Sequence, residues 1–160
     1  MQRYARGVAL AAVGDVAGAE AEEALFLVAC TAKAIPTRRK HNVQVKQMLE
    51  IAALVLSGEI AYRRGDKASR DAAFDSLRQA VVKDDNLPYD EPWGWMMPVR
   101  HPLGALLLED GRTLEAVDVY RTDLAPGHHP KNVWSLAGLK EGLDSLLVDG
   151  AICTDEIQAE

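Results

Sequence analysis

Apolar side chains recur three and four positions apart along almost the whole chain, which is the spacing of one helix face. No segment sustains the period-two alternation of β-branched residues that a strand needs. The pattern divides into seven helices. The first covers about Arg3–Val13 and stops at Gly14, a residue suited to a left-handed cap. Asp15 can cap a second, Val16–Lys33, and Ile35–Asn42 then breaks the periodicity with a proline and a basic run, reading as polar loop. A third runs from Val43 to Arg64 and ends at Gly65, and Asp66 or Ser69 caps a fourth that reaches Lys83. The fifth, Val99–Glu109, closes at Gly111, and the sixth is Thr113–Leu124. The seventh begins near Asn132 and fades toward Asp149–Gly150, and the last ten residues read as a frayed end or a short final turn.

One stretch breaks this regularity. Leu87–Asp110 holds two of the three tryptophans, two of the four methionines and four of the seven prolines. An irregular, proline-rich loop there feeds straight into the fifth helix, with Arg100 and His101 on its first turn. Aromatic residues make up only 6% of the chain, so Trp93 and Trp95 form a real cluster. Such a cluster marks either a joint between packed helices or the wall of a binding site.

The glycines show a repeat. Gly7 and Gly14, Gly58 and Gly65, and Gly104 and Gly111 are three pairs, each seven residues apart. The first glycine of a pair lets one helix approach the next closely, and the second closes the turn between them. After the turn comes a small residue, then a large apolar one four positions on: Ala73 with Leu77, and Ala116 with Tyr120. The first unit departs from this, with Glu23 at the large position. From Gly104 to Gly138 is 34 residues, the period of a tetratricopeptide helical hairpin.

On these residues the chain resembles the tetratricopeptide repeat family over nearly its whole length. More closely, the runs RYARGVALAAVGD, GEIAYRRGD, LPYDEPWGWMMPVRHPLGALLLEDGR and HPKNVWSLAGL look like the C-terminal portion of larger microbial tetratricopeptide proteins of unsettled function. The resemblance implies an all-α fold: a right-handed α-solenoid of about three hairpins plus a capping helix, in a single domain over 1–160. Its units are about 1–34, 43–83 and 98–125, with the cap at 132–148. It also implies that the chain is a fragment, or a short relative missing N-terminal repeats. The spacings between the first glycines exceed the family period, the surplus lying in Ile35–Asn42, in an extra turn after Gly65 and in the Asp84–Met97 loop.

Composition sets outer limits. With 48% apolar and 26% charged residues, the chain suits one soluble globular domain. A net charge of −6 and a pI near 5.2 argue against nucleic-acid phosphate as partner. No apolar run approaches the ~20 residues that span a bilayer, and the N-terminus begins in helical pattern without a secretory apolar core. Cys30 and Cys153 stand far apart with no CxxC spacing, and Cys30 on an apolar helix face reads as core filler. Together these point to a cytoplasmic protein.

In the family a concave groove is lined by the first helix of each hairpin. The resemblance places Tyr4 and Val8 there from unit one, and Val55, Glu59, Tyr62 and Arg63 from unit two. Unit three contributes His101, Ala105, Leu108 and Glu109, and the cap contributes Asn132, Ser135 and Leu139. This mixed polar and aromatic surface suits a peptide or a small polar molecule. Asp90 and Glu91 beside Trp93, with Arg100 and His101 close behind, form a second candidate. Paired carboxylates near an imidazole can do acid–base work or hold a metal. The structural alternative is that Trp93 and Trp95 plug the gap between units two and three, while Asp90 or Glu91 pairs with Arg100 or caps the fifth helix. Adjacent His128 and His129 point apart in a loop and lack a ligand partner in sequence, so no metal is assigned. Arg38, Arg39, Lys40 and His41 read as a solvated face where an acidic partner could bind. No Gly-rich phosphate loop, nucleophile elbow, HExxH or Walker motif occurs.

The leading expectation is therefore a non-enzymatic scaffold that holds a protein or peptide segment, with no cofactor and no membrane. One rival is an enzyme fragment for a small molecule or metal, working around His101, Asp90, Glu91 and Glu59. Another is self-association as a homodimer through an end helix left uncapped.

Overall fold

A computed structural model describes residues 1–148, with 34 and 36 excepted. Cys153 and the expected end of the last helix at Asp149–Gly150 lie outside the described residues. Among these, the fold is all-α apart from one small ladder. The helices are α1 Gln2–Ala12, α2 Val16–Cys30, α3 Val45–Arg64, α4 Lys67–Asp85, α5 Arg100–Glu109, α6 Thr113–Leu124 and α7 Val133–Val148. The ladder joins β1 Arg39–Lys40 to β2 Val43–Gln44 in antiparallel register, Arg39 opposite Gln44 and Lys40 opposite Val43. The chain divides into two compact units, Met1–Val99 and Arg100–Glu160. No described helix is long and apolar enough to cross a membrane.

The first unit is two helical hairpins. Gly14 and Gly65 turn them at φ 84° and 85°, in the left-handed region that a side chain disfavours. Asp15 then starts α2 by accepting from the Gly18 amide at 2.9 Å, and Asp66 starts α4 by accepting from Ser69 at the same distance. Asp66 is thus the cap, and Ser69 its donor. A methyl group at Gly58 would stand 2.8 Å from Leu77 Cγ and 3.3 Å from the Ala73 carbonyl, so α3 and α4 meet at the small and large positions of the repeat. Gly7 of α1 meets Leu56 of α3 in the same way, at 2.8 Å. Phe26, Ile51, Leu56, Ile60, Phe74 and Leu77 fill the interior.

The end of the stretch expected as polar loop forms a β-hairpin over residues 39–44, with His41 at φ 51° in its turn. The hairpin takes the first two residues expected of the third helix. Val43 faces inward and is fully buried, and Gln44 and Gln47 close a reciprocal capping box at the start of α3. A two-residue strand is too short to show a period, and the apolar Val43 is its only trace in the sequence.

In the second unit Gly111 makes the turn at φ 75°. Tyr120 of α6 lies between α5 and α7. A methyl group at Gly104 would stand 2.5 Å from its Cζ, and one at Gly138 would also strike the ring. Burial, reinforced by the charges of Glu141 and Asp123, pushes the Tyr120 phenol up to about 12. Gly142 meets Val117 at 2.8 Å, continuing the seam between α6 and α7.

Candidate functional site

In the first unit the two segments that interrupt the helical repeat dock on each other. Asn42 Nδ2 donates to the Tyr89 carbonyl at 3.1 Å, and His41 Nδ1 stands 3.6 Å from Asp90 Oδ1. Gly94 lies flat on Val43, where a methyl group would come within 2.6 Å of Cγ2. Trp95 is buried and meets the Tyr4 ring of α1 edge-on, with centroids 5.7 Å apart. The far end of the loop is held by Asp84 Oδ2, which accepts from the Val99 amide at 3.1 Å. The backbone of 87–99 is thereby fastened at several points, and the Glu91–Pro92 peptide within it is cis. Its side chains nevertheless reach outward: Tyr89, Trp93, Met96 and Met97 are 72%, 47%, 66% and 52% exposed.

The expected site residues of this unit are distributed as follows. Tyr4 is half-buried, and burial followed by the nearby Glu59 charge raises its phenol to about 12. Glu59 and Arg63 are half-buried on α3. Tyr62 is buried edge-on against Phe74 at 5.8 Å, with the Arg63 guanidinium 5.1 Å from its ring centroid. Asp90 is buried, whereas Glu91 is exposed and accepts from the Tyr89 hydroxyl. Asp90 and Glu91 therefore serve inside the loop. Asp84, which the sequence did not single out, makes the bond at the entry to α5.

A second cluster lies within the second unit. Asp123, fully buried, takes three donors. Ser135 Oγ donates to Oδ2 at 2.5 Å, His129 Nδ1 to Oδ1 at 2.8 Å, and His101 Nε2 to Oδ2 at 3.3 Å. Burial opposes ionisation, and the hydrogen bonds from His101, Ser135 and His129 overcome it, holding the carboxyl down at about 2. The His129 amide also donates to the Asp123 carbonyl at 2.8 Å. One carboxylate thus ties together α5, α6, α7 and the 125–132 segment. Asn132 Oδ1 caps α7, accepting from Trp134 and Ser135 at 2.9 and 3.3 Å. Arg100 is buried at the start of α5.

His101 and Ser135 were picked out by the sequence, and Asp123 was not. The missed signal was an acid on a buried helical stripe, since Ala116, Tyr120 and Asp123 share one face of α6. Chemically the cluster is closed. The serine hydroxyl donates to the carboxylate, not to an imidazole, so it is not activated as a nucleophile. Among the described residues no group of three histidine, cysteine or acidic side chains is placed to hold a metal ion. One cavity of about 220 Å³ opens between α2 and α3 beside Leu27, Cys30, Leu49 and Ala53, and burial pushes the Cys30 thiol up, which disfavours its thiolate. Comparison of the chain with protein-family models, with curated proteins and with solved structures finds no match.

Proposed function

We propose that this protein is a non-enzymatic scaffold that binds a protein or peptide segment. In this reading the helical hairpins belong to a right-handed tetratricopeptide-like α-solenoid in the cytoplasm. Support for the repeat comes from three turn glycines in the left-handed region, from Gly58 seated against Ala73 and Leu77, and from Gly104 seated against Tyr120. The observation that carries the binding reading is the set Tyr89, Trp93, Met96 and Met97, exposed on backbone fastened at Asn42, Val43, Tyr4 and Asp84. Amphipathic aromatic and methionine side chains held on an ordered surface offer contact area at low entropic cost.

The reading does not rest on Tyr62 or Ser135, which are taken up in packing. An enzyme built around His101, Asp90 and Glu91 finds less support. Asp90 faces His41, and His101 faces Asp123. The test is a titration of the isotope-labelled chain with synthetic peptides of acidic, basic, proline-rich and amphipathic-helical types, read by amide chemical shifts. Saturable binding of one type, with shifts confined to one surface, supports the proposal. A chain that takes none of them, and is instead stabilised by a metal ion or a metabolite in a thermal-shift panel, refutes it.

A further inference from the structure

Next to the exposed loop stands the one strongly basic run of the chain. Arg38, Arg39 and Lys40 are consecutive, exposed, and without an ion pair among the described residues. Several cations elsewhere sit beside carboxylates, Arg64 with Glu20 at 2.7 Å, Lys83 with Glu50 at 2.8 Å and Arg112 with Glu115 at 2.6 Å. In a protein of net charge −6, three cations left together unpaired form a local field opposite to that of the whole.

The hairpin register brings that field to the loop. Lys40 is paired opposite Val43, so the two side chains leave the ladder on one face, and Gly94 covers Val43 on that face. The turn between them makes the two polar contacts with Tyr89 and Asp90. Of the loop's two acids, Asp90 is buried facing His41, and Glu91 is exposed and accepts from the Tyr89 hydroxyl, so that Glu91 offsets part of the field and leaves the three cations in excess. Lys40 thus leaves the hairpin on the face that Gly94 covers and Arg39, opposite Gln44, on the other, and the hairpin that carries these cations is the one on which the loop of Trp93, Met96 and Met97 is docked.

Resting on the peptide-binding reading above, we propose that hairpin 39–44 and loop 87–97 together form a docking surface for an acidic peptide segment with aromatic or aliphatic anchors. The anchors lie on Trp93 and the two methionines, where polarizable side chains adapt to varied shapes. The acids meet Arg38, Arg39 and Lys40, which set orientation and on-rate. A peptide that is acidic but lacks anchors gains only the screened surface attraction, and one with anchors but no charge loses its steering.

The experiment titrates the full chain with a fluorescein-labelled Glu/Asp-rich peptide containing leucine and phenylalanine, read by anisotropy. Controls are the same peptide with alanine anchors, vesicles of phosphatidylcholine with phosphatidylserine, and an oligothymidylate. Variants are the triple charge reversal Arg38→Glu/Arg39→Glu/Lys40→Glu, Trp93→Ala, and the single charge reversal Arg121→Glu at an exposed position of α6. All of these residues are exposed, and circular dichroism checks that each variant folds. The anchored peptide binds the native chain, loses roughly tenfold or more in both surface variants, keeps its affinity in Arg121→Glu, and weakens with salt. Equal binding by all variants overturns the placement while leaving peptide binding intact. Binding of the vesicles or oligonucleotide but not the peptide overturns the partner class. Absence of any binding by this peptide overturns the inference, and the wider peptide panel decides the broader reading separately.

Discussion

Asp123 is the residue whose removal should cost the second unit most. Its carboxylate is fully buried and accepts from Ser135, His129 and His101. A carboxyl held near 2 in place of its ordinary 3.8 is ionised more favourably in the folded chain than in the unfolded one. At about 1.4 kcal/mol for each tenfold change in proton affinity, that difference contributes about 2 kcal/mol at neutral pH. Because the folded value is the lower one, the contribution is present in full above about pH 5. It fades as the pH falls through the unfolded value and on toward 2. Asp123→Asn, which keeps the shape and removes the charge, should lose about 2 kcal/mol at pH 7 and should lack this acid-dependent component. Asp123→Ala should lose about 3–5 kcal/mol, since it takes the shared acceptor from one buried donor, Ser135, and from two partly buried ones, His101 and His129. Urea unfolding followed by circular dichroism at pH 7, 5, 4 and 3 measures both, with native minus variant stability as the quantity of interest, so that other carboxylates cancel. If Asp123→Asn is as stable as the native chain at pH 7, or if the difference does not shrink toward pH 3, the network is not the fastening described.

Gly138→Ala should destabilise the second unit by about 1–3 kcal/mol although alanine favours helices by about 1 kcal/mol, because the new methyl strikes the Tyr120 ring. Adding Tyr120→Leu should remove most of the penalty that Gly138→Ala carries alone, and urea unfolding of the double-mutant cycle tells whether the two positions couple. Trp95→Ala should cost about 3 kcal/mol by emptying the seat against Tyr4, whereas Tyr4→Phe keeps the ring and should stay within about 0.5 kcal/mol. A Trp95→Ala loss below about 1 kcal/mol would mean that the loop is not anchored there.

What could be read from the sequence was what neighbouring residues decide. Helix termini followed from Asp15 and Asp66 as caps and from Gly14, Gly65 and Gly111 in the turns, because capping and left-handed backbone are local requirements. The close seams at Gly58 and Gly104 could also be read, since a repeat states its own partner positions. Pairings between distant segments could not. Nothing around Trp95 names Tyr4, more than ninety residues earlier, and nothing around Asn42 names the Tyr89 carbonyl. Carboxylate roles were misplaced for the same reason. Asp90 and Glu91 drew notice by adjacency to Trp93, while Asp84 and Asp123 hold the bonds at the entry to α5 and inside the second unit.

These pairings separate the polar chemistry of the chain into two kinds. At Asp123 the His101, His129 and Ser135 donors converge on one carboxylate, and these hydrogen bonds fix three helices and a connecting segment. In the two insertions the backbone is what is satisfied, through Asn42, Asp84 and the covered Val43, and the side chains Arg39, Lys40, Trp93 and Met96 are left facing water. A loop that served only to fill a gap would turn its aromatic and methionine side chains inward, as Trp95 does. Holding the backbone still while exposing those side chains forgoes the burial they would gain inside, about 1.5–3 kcal/mol for a methionine. On the binding reading proposed above, this forgone burial is what leaves the side chains available for contact with a partner. That reading directs the search for the contact to the place where the hairpin and the loop meet, and not to the histidine cluster around His101.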